Sequence, residues 1–130
     1  MPVVTDTHAL VWHLTGDSRL SDNARRLFED ADQGRETVHI PCILLFELTY
    51  LVEKKRIGLD LACVVSRLKG ASNYRVEPMC IPVIERSSSI SRDAVPDPWD
   101  RLIAGTALHL GLPLITRDSA LRALGIATVW

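Results

Sequence analysis

Carboxylates dominate the chemistry this sequence can do. Glu47 is the only charged residue between Ile40 and Val52, and its helical neighbours at i−3, i+1 and i+4 are Leu44, Leu48 and Leu51. A carboxylate placed there must reach water, pair with a cation or coordinate a metal, because an unpaired buried charge is costly. Lys54 is seven residues on, beyond an i, i+4 pair, although a narrow polar stripe with Tyr50 and Lys54 would also accommodate Glu47. Asp6 directly follows Val3-Val4-Thr5, and Asp118 follows Leu114-Ile115-Thr116-Arg117, so each stands where a short β-prone run ends. Asp97-Pro98-Trp99-Asp100 opens a helical pattern that includes Leu102, Ile103, Ala107 and Leu108. Asp97 fits its N-cap, Pro98 the first helical position and Asp100 the first turn. Capping alone would explain Asp6, Asp97 and Asp118. Hard oxygen donors gathered in one place would instead suit Mg²⁺ or Mn²⁺.

Other chemistries lack their residues. The sequence has no G-x-S-x-G elbow, no phosphate-binding P-loop and no G-x-G-x-x-G turn. His8 and His13 are five apart and do not form an i, i+4 metal pair, while His39 and His109 are isolated. A haloacid-dehalogenase-like phosphatase needs a second Asp two residues after the first, where His8 stands. A receiver-type domain needs a Lys near the final strands, and none follows Lys69.

The elements that must position the acids alternate in type. Strand-like runs are expected at Val3–Thr5, Thr37–Ile40, Arg75–Ile81, Leu112–Thr116 and Ala127–Trp130. Between them fall helical patterns at His8–Leu14, from Ser21 to Gly34, Cys42–Arg56, Asp60–Lys69, Val83–Ser91, Asp97–Leu110 and Ser119–Leu124. In the second of these, Ala24, Leu27, Phe28 and Ala31 follow the i, i+3, i+4, i+7 template; Lys54, Lys55 and Arg56 suit the negative end of the third. Strands separated by helices require crossovers, hence a three-layer α/β/α domain around a mainly parallel sheet. Ligands bind at the carboxyl ends of such strands, where Asp6 and Asp118 fall. The serine-rich stretch Ser87–Ser91 is unusually polar for a helix and has no functional reading.

The chain of 130 residues has 15 Lys+Arg against 16 Asp+Glu, a formal charge of −1 that disfavours a strongly basic nucleic-acid binder. Its size and 47% apolar content suit one globular domain over residues 1–130. The apolar run at Ile40–Val52 is too short to span a bilayer, and the start lacks the pattern of a signal peptide. Cys42, Cys63 and Cys80 are widely spaced, odd in number and set in apolar stretches, so reduced core cysteines in a cytoplasmic protein are expected. Trp12, Trp99 and Trp130 are likewise expected in the core.

Taken in order, Val4-Thr5-Asp6-Thr7-His8-Ala9-Leu10-Val11-Trp12, Phe46-Glu47-Leu48, Asp97-Pro98-Trp99-Asp100-Arg101-Leu102-Ile103-Ala104 and Ile115-Thr116-Arg117-Asp118 resemble the motifs of VapC-type toxins of the PIN-domain family. The resemblance runs from Val3 to about Leu121. It implies a metal-dependent endoribonuclease, the toxin of a toxin–antitoxin pair, with Asp6, Glu47, Asp100 and Asp118 around one or two Mg²⁺ or Mn²⁺ ions. Thr116 resembles the hydroxyl residue that accompanies the last acid; Thr7 and Asp97 would support the quartet from behind. Arg101 and Arg117 adjoin two of the acids and are candidates for RNA phosphate contacts. A cognate antitoxin and a homodimer are also implied. The family's frequent His-Arg pair before Asp-Pro is replaced by Val95-Pro96, so the resemblance carries over no basic residue at that point and leaves the quartet intact. The alternative is a catalytically silent PIN-like module that only binds RNA or a partner.

Overall fold

A computed structural model describes all 130 residues, Met1–Trp130. The elements run β1 (Val3–Thr5), α1 (Thr7–Thr15), α2 (Asp22–Asp32), β2 (Val38–Pro41), α3 (Cys42–Glu53), α4 (Leu61–Gly70), β3 (Tyr74–Glu77), α5 (Ile81–Ser88), α6 (Pro98–Leu110), β4 (Leu114–Ile115), α7 (Ser119–Ala123) and β5 (Thr128–Val129). The five strands form one sheet in the order β3-β2-β1-β4-β5. Every neighbouring pair is parallel. The chain builds outward from β1 to β2 and β3, then returns to β1's other edge for β4 and β5. The direction of build therefore switches between β1 and β4.

Alternation along the strands divides the core into two layers. Val3 and Ile115 join a cluster with Leu10, Phe28, Leu44, Leu48 and Val64, from α1 to α4. Their neighbours Val4 and Leu114 face the opposite way, against Ile103, Ala104, Ala107 and Leu121 from α6 and α7. Successive strand residues point to opposite faces, so a sheet covered on both sides needs consecutive apolar residues. The result is the expected α/β/α arrangement.

Element ends differ from the sequence expectation where local chemistry intervenes. β3 stops at Glu77, before Pro78, which has no N–H for a ladder bond. α3 stops at Glu53, because Lys55 adopts a left-handed φ of 54°; the basic run Lys54-Lys55-Arg56 therefore forms a turn beyond the helix. β4 spans only Leu114–Ile115. The cysteines are not core residues. Cys42 and Cys63 are exposed and Cys80 is partly so, because each falls on the outer side of an otherwise apolar segment. Trp12 is buried, whereas Trp99 and Trp130 are half-exposed. No helix is long and apolar enough to cross a membrane.

The serine-rich stretch has a packing role at its first residue. Ser87 is buried, its hydroxyl donates to Val83 O at 2.7 Å, and it lies against Gly105 of α6. A Cβ at Gly105 would come within 2.9 Å of both Ser87 N and Val83 O and would collide with the Ser87 hydroxyl. Gly105 is thus the point where α5 and α6 touch backbone to backbone. Replacing Gly by Ala in a helix interior normally stabilises by about 1 kcal/mol. Here overpacking costs about 1–3 kcal/mol and backbone atoms cannot swing aside, so the clash wins. Gly105→Ala is expected to lower the urea midpoint with little change in m-value; an unchanged or higher midpoint contradicts this close approach.

Candidate active site

Three helix N-termini meet at the carboxyl edge of the sheet, beside the switch between β1 and β4. Asp6 caps α1, accepting from Ala9 N at 2.8 Å. Asp118 caps α7, accepting from Ala120 N at 2.9 Å, and Asp97 caps α6, accepting from Trp99 N at 2.9 Å. Each cap bond uses Oδ1 and involves no bond from Oδ2. Capping and exposure to a shared cleft therefore coexist in the same side chains.

Asp6, Glu47, Asp97, Asp100 and Asp118 line one cavity of about 320 Å³, together with His8, Trp12, Thr116, Arg117 and Trp130. Glu47 reaches it from α3 and is only 7% exposed. Its partner is the buried Thr7 hydroxyl, which donates to Oε1. The Thr116 hydroxyl, just past β4, accepts from Asp118 N at 3.1 Å and lines the same cavity as Asp6, just past the neighbouring β1. Thr7, Thr116 and Asp97 thus stand behind or beside the four acids.

No Lys or Arg forms an ion pair with Asp6, Glu47, Asp100 or Asp118. Burial consequently prevails over the helix ends. It raises the Asp6 carboxyl above its ordinary value, despite opposing hydrogen bonds from Ala9 and Thr116 and the nearby His8. Burial also raises Glu47, with Asp97 and Asp6 adding repulsion against the Thr7 bond. Asp100 is pushed up to about 7, first by burial and then by Asp97, Glu47, Asp6 and Asp118. Asp100 feels all the other acids because it projects from the first turn of α6 into their midst. Such a site favours protons or cations.

The donor set fits a hard divalent cation, being carboxylate oxygen without a competing protein cation. In this conformation no three side chains converge closely enough to hold one ion. Like charges in a partly desolvated cleft resist that approach until an opposite charge joins them. Arg117 lines the cavity, with its guanidinium 4.9 Å from the centre of the Trp12 ring. Arg101 does not line it; its Nε is buried without a hydrogen-bond partner. His8 is the site residue that sequence reasoning passed over. Its signal was position, two residues after Asp6 in the first turn of α1.

A PIN domain family model matches residues 3–127. The chain belongs to the PIN-domain family. Over 121 residues it is 31% identical to Ribonuclease VapC22 of Mycobacterium tuberculosis, covering 93% of this chain and 90% of that protein. The crystal structure of Mycobacterium tuberculosis VapC20, described as a sarcin-ricin loop cleaving toxin, superposes with a TM-score of 0.70 at 19% identity, covering 98% of each chain. A toxin–antitoxin complex from Klebsiella pneumoniae contains a chain matching with a TM-score of 0.69 at 20% identity, over 98% of this chain and 96% of that one. At those identities the structural matches establish the PIN fold, and the cleft lies at its β1–β4 switch.

The raised carboxyls make the stability of this PIN domain depend on pH. The folded state keeps a proton on Asp100 up to about 7, whereas the unfolded chain releases it near 3.8. That contribution is complete below the unfolded value and is lost as pH rises through about 7. His13, which burial pushes downward, works in the opposite sense, so the comparison must be with a variant. In metal-free thermal melts between about pH 5 and pH 8, Asp100→Asn is expected to flatten the decline seen in wild type. Mg²⁺ or Mn²⁺ should raise the wild-type Tm more at the alkaline end. Parallel curves for the two proteins contradict the assignment to Asp100.

Proposed function

We propose that this PIN domain is a divalent-metal-dependent endoribonuclease, the toxin of a toxin–antitoxin pair acting in the cytoplasm. The observation that carries the proposal is the shared cavity of Asp6, Glu47, Asp100 and Asp118, in a chain 31% identical to Ribonuclease VapC22. In this reading those four residues hold one or two Mg²⁺ or Mn²⁺ ions. Thr116 holds the backbone of Asp118, Thr7 fixes Glu47, and Asp97 anchors the start of α6 beside Asp100. Bound divalent ions would supply Lewis-acid charge at a phosphodiester and lower the pKa of the attacking water. The protein needs no nucleophile of its own. Its carboxylates orient the ions, and Arg117 offers a cation to an RNA phosphate at the rim.

The partner is a cognate antitoxin, by analogy with the Klebsiella pneumoniae complex. The exposed side chains of Val76, Met79, Ile81 and Ile84, across β3, α5 and the turn between them, give an antitoxin or a second copy of the chain apolar area to bury.

Incubation of the purified protein with single-stranded RNA and Mn²⁺ or Mg²⁺ is expected to give internal cleavage that EDTA abolishes. Asp6→Asn retains a capping residue and removes one ligand charge, so it should fold normally and cut at least a hundredfold more slowly, of the order expected for losing several kcal/mol of transition-state stabilisation. Cleavage at the wild-type rate by Asp6→Asn would refute the site. A protein that binds RNA but never cuts it would be the silent module instead.

A further inference from the structure

A second cavity opens beside the acidic one. Its volume is about 590 Å³, and it shares His8, Trp12, Glu47 and Asp97 with its neighbour. The new walls include Arg19, Tyr50, Arg56 and Trp99. Asp17, Glu47 and Asp97 line it too, but it carries two guanidinium groups where the acidic cavity carries one. Tyr50, on α3, is 46% exposed. Lys54 stands 5.5 Å above its ring. Arg56, in the turn that ends α3, makes no ion pair, and neither do Lys54 and Lys55. Arg19 is held by Asp17 at 2.8 Å, which sets its direction and offsets its charge; Arg56 is therefore the free cation of the groove wall.

Trp12 joins the two cavities. Arg117, on the acidic side, and Arg19, on the far side, lie 4.9 and 4.8 Å from its ring centre. Two guanidinium groups share one buried indole at the boundary, so Trp12 marks the passage from the acids to the wall that carries Arg56.

We infer that this groove is the subsite for a single-stranded RNA segment on one side of the cut phosphate, with Arg56 on its backbone and Tyr50 and Trp99 against its bases. The inference rests on the ribonuclease reading above. An internally cut polymer must continue beyond the reacting phosphate, and this groove opens directly from the acidic cavity. Tyr50 is exposed, and Trp99, packed against Phe46, is partly so; accessible rings beside an unpaired cation are what unpaired strands use, since every base has a face to stack and every residue a phosphate. A duplex hides its base faces and gains nothing from Tyr50. The volume falls within the range of small-ligand pockets, enough for on the order of one or two nucleotides. Asp17 is taken up by Arg19, so the attraction for a polyanion comes from Arg56 and from Lys54 and Lys55 in the same turn, none of which has an ion-pair partner.

The test is steady-state cleavage of a fluorescein-labelled single-stranded RNA by the Mn²⁺-loaded protein over a series of KCl concentrations. Arg56→Gln is expected to raise KM about tenfold with kcat little changed, and to reduce the slope of log KM against log salt by about 0.7, the loss of one phosphate contact on a single strand. Arg56→Lys should restore most of that slope. Tyr50→Ala should raise KM by about tenfold, the order expected for losing one stacked base, while Tyr50→Phe keeps the wild-type value. Both side chains are exposed, so far-UV circular dichroism should be unaltered. Unchanged KM and salt slope in both Arg56→Gln and Tyr50→Ala, with wild type still cutting, would overturn the groove and leave the ribonuclease reading standing. If wild type itself cuts no RNA, the ribonuclease reading fails first. If the variants cut normally but release a co-expressed antitoxin, the groove is a protein site and the inference is wrong.

Discussion

Burial of carboxylates without a counter-charge, with their mutual repulsion added, is the constraint around which this molecule is organised. Asp6, Glu47, Asp100 and Asp118 face one cavity without an ion-pairing Lys or Arg. The favourable effect of a helix N-terminus on an acid is about 0.3–1 kcal/mol, and the cap hydrogen bonds add to it. Those terms do not offset burial, since Asp6, Glu47 and Asp100 all keep their protons more tightly than usual. The cleft is therefore a destabilised region held by the two apolar layers beneath it. Val3 and Val4, pointing to opposite layers, hold β1 rigidly so that Asp6 emerges at a fixed place. The site's strain is local and its support is distributed.

The same acids also begin the helices that place them. Asp6, Asp97 and Asp118 each satisfy a backbone N–H that would otherwise be orphaned. Loss of such a cap costs about 1 kcal/mol, a minor part of a domain's stability. Removal of a ligand charge from a metal site has a far larger effect on chemistry. Asn and Ala substitutions consequently ask different questions here. Asn keeps the cap and alters the charge, whereas Ala alters both.

Much of this was legible in the sequence because its strongest signals were local. Paired apolar residues such as Val3-Val4 and Leu114-Ile115 specify strands covered on both faces. Asp97-Pro98 and Gly111 mark both ends of α6, and the C-cap glycine adopts the expected left-handed conformation. Glu47, alone among leucines, pointed to the cleft without any knowledge of its partners. What remained hidden depended on distant contacts. The tertiary partner of Ser87 is Gly105, eighteen residues on, and no helical periodicity in α5 reveals it. The cysteines misled because their neighbours are apolar, while exposure is decided by which side of the helix they occupy. His8 was discounted as a metal ligand, and its place in the cleft comes from the turn joining β1 to α1.

Charge distribution explains how a chain of net −1 can suit RNA. Setting aside the four acids leaves +3 on the remainder. At physiological salt the screening length is about 8 Å, so a phosphate responds to its immediate surroundings rather than to the total. Beside the acids those surroundings are negative and repel it. At Arg117 over Trp12, and at Arg56 beside Tyr50, they become cationic and aromatic. A divalent cation among the acids inverts the sign of the first region and leaves the second untouched. Affinity for the strand and activation of its phosphate are then supplied by different residues. Salt should weaken the first far more than the second, because the groove is open to solvent and the carboxylates are partly sheltered from it.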